Sequence, residues 1–392
     1  MKFAVLDENG SLAKASSELA NNQATYEIAR FDEKDAFFAA LKRQPAGVLA
    51  VETDCVERTA KILGDLAILF PRTIRIAISN AFGVSRLRDL CGPANQFCFK
   101  PVCPEAVKNR VDGAMELLPL LTDPKVLAVV SGLRTLPTFS ESYSVLLQEL
   151  ESADPNIDTI GSAIERDVGL FATILSLANS SFFGRSTKVS SPIDAVSTLG
   201  FSAIQSVVLA APALSLLDGA QIRSINREVF WGQAQKRAEI ARRIAKAERL
   251  KAVVVNECYS AALLVDVGQL VLASNYGQKY DAYLKHAEST GAALHELEYS
   301  QMQTDHAAIG ACMLAMWGVS PGIVEAIWKH HLPPPGETKT DAAVITFAAD
   351  WILRRLDSED PFQGEPAGSP VLQHSLDRWL DLVVEADEAC AV

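Results

Sequence analysis

The chain has 392 residues, 49% of them hydrophobic and 21% charged, which is the profile of a globular protein with two or three domains. Its formal net charge is −12, and the excess is uneven: residues 1–120 hold 15 basic and 15 acidic side chains, residues 121–392 hold 21 and 33. An acidic body of this kind repels phosphate backbones, which argues against direct nucleic-acid binding and for protein partners.

Residues 1–117 alternate between short apolar strands and helices. Strands are expected at Phe3–Leu6, Tyr26–Ala29, Gly47–Val51, Ile74–Ile78 and Phe97–Phe99. Helices are expected at Leu12–Ala20, Asp35–Lys42, in a segment ending near Leu90, and at Pro104–Leu117. The run GVLAV is continuously apolar, as in a strand buried on both faces. Such alternation predicts an α/β domain with a parallel sheet covered on both sides.

Beyond about residue 118 the strand signal nearly vanishes. Asp154-Pro155 and Ser191-Pro192 each read as a cap followed by proline in the first helical turn. Gly200 reads as a stop, followed by an apolar helix over Ala203–Leu214. Thr304-Asp305 is expected to cap a helix running to Trp317, and Ser320-Pro321 to open one ending at His331. Two more helices are expected, over Ala342–Arg355 and Ser375–Ala386. The basic stretch Lys236–Arg249 is interrupted by Glu239 and Glu248, the pattern of a solvated helix face. The expected organisation is three parts: 1–118, 119–335, and an acidic helical tail over 336–392 packing on the second part.

No apolar stretch reaches the roughly 20 residues that span a bilayer, and the Met1 end has no basic-then-apolar leader. Seven scattered cysteines form no CxxC pair, so free thiols in a reducing compartment, and a cytoplasmic location, are expected.

The order Asp7-Glu8, GVLAV, Ser79, Lys100-Pro101 resembles the response-regulator receiver domain, a flavodoxin-like doubly wound fold. In that family two acidic residues after the first strand hold magnesium, an aspartate ending the third strand accepts a phosphoryl group, and a Ser/Thr and a Lys read it out. Asp7, Glu8, Ser79 and Lys100 match. The acceptor does not: Val51 and Glu52 stand there, and Asp54 lies beyond the expected strand end. Glu52 has two readings, a mimic of a phosphorylated aspartate or a solvated residue at a strand end. The second is preferred, and the domain is read as a pseudo-receiver used for docking or dimerisation.

Arg134-Thr-Leu-Pro-Thr138, Ala153-Asp-Pro155, Ile164-Glu-Arg-Asp167, Leu175-Ser-Leu-Ala-Asn-Ser180, Phe183-Gly184 and Ser191-Pro-Ile-Asp-Ala-Val196 follow one another at spaced intervals. Phe230-Trp231, Ala262-Leu-Leu-Val-Asp-Val-Gly268, Asp305-His306, Trp317-Gly318 and His330-His331-Leu-Pro333 continue the series. Together they resemble the all-helical HDOD domain, a relative of the HD phosphohydrolases, over about residues 125–335. In active HD relatives histidines, a His-Asp pair and a late aspartate bind metals that activate water. Carried over by position, the first histidine falls near Gln233 and the His-Asp pair at Val265-Asp266. His306, His330 and His331 match later histidines, and Asp350 the last aspartate. Two nitrogen ligands are thus replaced, by an amide and by an isopropyl group.

The resemblance therefore implies a non-catalytic bacterial signalling protein, with neither cofactor nor bound metal. It would act on other signalling proteins or a second copy, without nucleic-acid binding or membrane insertion. The rivals are a metal-dependent phosphohydrolase with a reduced HD site, which could keep a one-metal site built from Asp266, His306 and His330 or His331, and a small-molecule or nucleotide sensor. Residues 179–184, polar groups followed by two phenylalanines, are a further candidate recognition loop.

Overall fold

A computed structural model describes residues 2–10, 12, 27–53, 55–70, 73–79, 90, 93–99, 111–133, 146–147, 149–150, 152, 154–166, 170–171, 174, 178, 189, 191–215, 225–333, 340–357 and 370–390. Lys100, Asp54, and the expected motifs at 134–138, 179–184 and most of 12–20 and 104–110 lie outside these residues. The chain divides into two compact units, residues 1–151 with 302–304 and 312–321, and residues 152–301 with 305–311 and 322–392.

The first unit is built on a five-stranded parallel sheet: β1 (Lys2–Asp7), β2 (Glu27–Phe31), β3 (Val48–Glu52), β4 (Ile74–Ser79) and β5 (Gln96–Phe99). The strand order is β2-β1-β3-β4-β5, which is compatible with a flavodoxin-like arrangement. β3 sits at the centre, and every residue from Val48 to Glu52 is buried, as its unbroken apolar run requires. Helices α1 (Lys34–Arg43) and α2 (Val56–Leu69) lie against the sheet through Phe37, Leu41, Ile62, Leu63 and Leu66. α3 (Leu118–Leu121) and α4 (Pro124–Gly132) follow, with Asp123 capping α4 through bonds from Lys125 N and Val126 N. Asn95 ties β4 to α3 by accepting from Arg75 N at 2.9 Å and donating to Leu121 O at 3.1 Å.

The second unit is helical. α5 (Ile157–Glu165) starts two residues later than its proline suggests, because Asn156 is the cap: its side chain accepts from Asp158 N and Thr159 N. α6 (Pro192–Leu199) is capped by Ser191 and ends at Gly200, whose φ of 81° suits glycine. α7 (Phe201–Ser215) follows, and its Ser206 hydroxyl donates to Ser260 at 2.6 Å. α8 (Arg227–Ala247) packs against α9 (Ala252–Leu264) and α15 (Ala342–Asp357), which also touch each other. α10 (Val267–Tyr276), α11 (Gln278–Thr290), α12 (Leu294–Met302), α13 (His306–Met316) and α14 (Pro321–Lys329) come between, with Met302, Cys312–Met316 and Pro321 assigned to the first unit. α16 (Pro370–Cys390) docks on α8, where Glu248 accepts from Trp379 Nε1 at 2.8 Å.

Two expectations about polarity are corrected. Ala252–Tyr276 is a 25-residue helical stretch long and apolar enough to cross a membrane, but 67% of its apolar window is buried inside the protein. It is a core element, broken at Val265-Asp266. The face of α8 is not wholly solvated either: Arg237 and Glu239 are buried. Arg237 follows Ala234 by three residues and precedes Ala241 by four, so it falls on the helix's apolar stripe.

Candidate functional site: a closed histidine–carboxylate centre

The break between α9 and α10 presents Asp266 to the start of α13. Two glycines make this approach close. A Cβ on Gly268 would stand 2.0 Å from His306 O and 2.8 Å from Gly310 N, and one on Gly310 would stand 2.9 Å from Gly268 N. Only backbone without side chains fits there. His306 consequently opens α13 with its Nε2 3.4 Å from Asp266 Oδ1.

The His306 ring is oriented from behind. Its Nδ1 donates to Glu298 Oε2 at 2.7 Å, and its backbone N–H donates to the same oxygen at 2.8 Å. The other Glu298 oxygen accepts from the Tyr280 hydroxyl. Glu298 and Tyr280 are both fully buried, so this is a satisfied polar column rather than a surface pair.

Opposite Asp266 comes Arg237. Its Nη2 forms a 2.8 Å ion pair with Asp266 Oδ2, and its Nε lies 2.8 Å from Asp350 Oδ1. Asp350 also pairs with Arg354 at 2.6 Å, and Gln269 donates to Asp266 Oδ1 at 2.7 Å. One guanidinium therefore spans the two aspartates contributed by the α9–α10 break and α15. Val265, beside Asp266, is completely buried and offers no donor.

Three histidines complete the centre. The donor atoms of His306, His330 and His331 all lie within 4.8 Å of one another. His331 Nε2 is 2.9 Å from His306 Nε2, and the His295 ring stacks on His331 at 4.0 Å. His330 Nδ1 donates to Ile327 O at 2.6 Å, which leaves its buried Nε2 a lone pair without a hydrogen-bond partner among the described residues.

Charge follows geometry. Burial would depress His306, but the Glu298 carboxylate, with Asp266, overrides it and holds the imidazolium up to about 10. Burial would raise Asp266, yet Arg237 and then His306 hold it well below the usual carboxylate range. Burial pushes His330 down to about 4. It pushes His331 down further, with His330 and His306 reinforcing it. His306 thus donates through both nitrogens while its neighbours accept. Glu298, Asp266 and Asp350 face Arg237, Arg354 and the His306 imidazolium, so the centre balances its charge from its own side chains.

Residues 136–333 match the HDOD domain, half of the chain. The chain belongs to the HDOD family. It is 25% identical over 241 residues to a protein of Treponema pallidum (strain Nichols), covering 61% of this chain and 46% of that protein. It is 40% identical over 77 residues to YuxH of Bacillus subtilis (strain 168), covering 20% and 19% respectively. The chain thus spans less than half the length of these curated relatives. Among solved structures, an HDOD domain protein of Geobacter sulfurreducens has a TM-score of 0.53 at 23% identity, over 68% of this chain and 94% of that one. A Shewanella amazonensis protein named as a candidate phosphohydrolase has a TM-score of 0.51 at 21% identity, over 68% and 93%. These likenesses support the helical HDOD fold.

Within this HDOD centre the structure brings together Asp266, His306, His330, His331 and Asp350, with Val265 packed beside them. Gln233 is not brought in: it is exposed on α8, one turn before Arg237. Arg237, Glu298, Tyr280 and His295 were not singled out by the sequence. The signal for Arg237 was its place on the stripe of buried alanines.

At the carboxyl end of the sheet, Asp7 pairs in register with Glu52 on the neighbouring strand. Glu52 is fully buried, which corrects its reading as a solvated strand end. The central strand carries it inward, where its Oε1 accepts from Asn9 at 3.0 Å. Asp7, also fully buried, accepts from Leu12 N and pairs with Arg30, each at 3.0 Å. Glu8 pairs with Arg58 at 2.8 Å. Ser79 ends β4, in register with Phe99 of β5.

Proposed function

We propose that this HDOD protein is a non-catalytic signal-transduction protein of bacteria, acting in the cytoplasm through protein–protein contacts. A receiver-like N-terminal unit would pass its state to the helical unit, whose surface meets the partner. The observation that carries this reading is the guanidinium of Arg237 lying between Asp266 and Asp350. A hydrolytic metal needs those carboxylates, an open coordination position and an oriented water. Here both carboxylates are neutralised by a side chain, and Val265 supplies an isopropyl group where an HD relative has its histidine. The metal of HD relatives therefore does not fit this centre as it stands.

The receiver-like reading rests on the parallel strand order and on Asp7 lying beside Glu52. The Glu52 carboxyl group, buried at that strand end, stands where the receiver family has the aspartate that accepts a phosphoryl group.

A second reading, a metal-dependent phosphohydrolase with a reduced site, is favoured by one feature. His306 and His330 have their Nδ1 atoms fixed by Glu298 and by a carbonyl, the outer-shell arrangement of metal-ligating histidines. The two readings separate on purified full-length protein given Mn²⁺ or Mg²⁺ and phosphodiester substrates. The proposal expects no turnover above buffer. Hydrolysis that disappears in His306→Ala, with metal lost alongside it, would sink it.

A further inference from the structure

We infer that Arg237 is a tethered cation standing in for a metal ion, and that shortening it would open a divalent transition-metal site. The inference rests on the reading of this centre as closed, and goes further by assigning the closure to one side chain.

Consider what surrounds the guanidinium. Asp266 and Asp350 each direct an oxygen at it at 2.8 Å. No other described residue is ion-paired with both aspartates. His306 Nε2 lies 3.4 Å from Asp266, and its far nitrogen is held by Glu298. His330 is 1% exposed, and its Nε2 lone pair has no hydrogen-bond partner among the described residues. Two carboxylates and two imidazole nitrogens therefore converge on a region whose cation arrives on the Arg237 side chain. Nitrogen and oxygen donors of this kind suit zinc, cobalt or manganese.

Removing the guanidinium leaves Asp266 and Asp350 close together with less compensation. Two buried carboxylates without their partner strongly favour a cation or a proton. The fixed imidazoles tip that choice toward a metal: their rings are already oriented, and His306 gives up its Nε2 proton on binding. A tethered cation also explains how the fold keeps Asp266, His306, His330 and Asp350 together although Val265 has replaced a donor.

The test uses full-length wild type, Arg237→Ala, Arg237→Gln and the double variant Arg237→Ala/His306→Ala, each titrated with Co²⁺ alone. Visible absorption reads the ligand field, and circular dichroism reads folding. Wild type should give no d–d bands and an unchanged melting temperature. Arg237→Ala should give d–d bands saturating at one Co²⁺ per chain and regain thermal stability on binding. The double variant should bind at least about tenfold more weakly. If Arg237→Ala fails to fold in metal-free buffer, the inference requires that Co²⁺ restore folding, or that the less drastic Arg237→Gln fold and bind.

Stoichiometric Co²⁺ in wild type through His306 would overturn the inference. So would folded Arg237 variants that take up no Co²⁺, or unfolded ones that Co²⁺ does not rescue. The last two outcomes leave the non-catalytic reading standing, whereas wild-type phosphodiester turnover removes that reading.

Discussion

Gly268→Ala puts the geometry of the centre under direct strain. The added methyl carbon would sit 2.0 Å from His306 O and 2.8 Å from Gly310 N, against the 3.4 Å of ordinary contact. Both obstacles are backbone, so no rotamer change relieves them; α10 and α13 must separate by about 1 Å or more. Overpacking of a rigid core costs about 1–3 kcal/mol, and backbone against backbone belongs at the upper end. A separation of that size also pulls His306 from Asp266. A loss of about 3 kcal/mol corresponds to a fall of roughly 6–12 °C in melting temperature for a unit of this size. Gly232→Ala is the internal control. It lies within α8 with nothing within 4 Å of the added carbon, so it should gain about 0.5–1 kcal/mol from reduced backbone entropy. Differential scanning calorimetry on both variants gives the comparison. Equal melting temperatures for Gly268→Ala and wild type would refute the close packing of α10 on α13.

Tyr280→Phe removes the only described hydroxyl donor to Glu298 Oε1 and should cost about 1–3 kcal/mol in denaturant unfolding; no loss would mean that Glu298 is solvated. Thermal stability should peak near neutral pH. The His306 contribution is fully present below its ordinary value of 6.5 and is lost as pH rises through about 10. The His330 contribution is present above 6.5 and is lost as pH falls through about 4. His306→Gln should flatten the alkaline limb of the melting profile, and an unchanged limb would place the titration elsewhere. Trp379→Ala empties a side chain that is 3% exposed and breaks its bond to Glu248. It should loosen α16 and speed tryptic cleavage after Arg378, whereas an unchanged digestion rate would mean that α16 is held by other contacts.

The sequence was legible where a periodicity or a motif forces one answer. The unbroken run of β3 marks a strand buried on both faces of a parallel sheet, and Ser191-Pro192 and Gly200 bound α6. Val265, Asp266, His306 and His330 were found by motif spacing, and the fold does gather them. Cap positions were less legible, since Asn156 competes with Asp154 and only geometry decides between them. Arg237 was hidden because a charged residue among other charges reads as solvated. Its burial depends on Asp266 and Asp350 arriving from elements 29 and 113 residues away in sequence. Glu52 was hidden for a similar reason: it is buried on the central strand, with Asp7 in register on β1 and Asn9, in the turn after β1, donating to it. Long-range polar contacts leave little trace in local pattern, and both misread positions depend on them.

The most direct test of the closed centre is a crystal structure of the wild-type chain grown in Mn²⁺, with anomalous scattering recorded for manganese. The Arg237 guanidinium should lie between Asp266 and Asp350, with His306 on Glu298 and no anomalous peak among them. A manganese peak bonded to Asp266 and His306, with Arg237 swung aside, would contradict it.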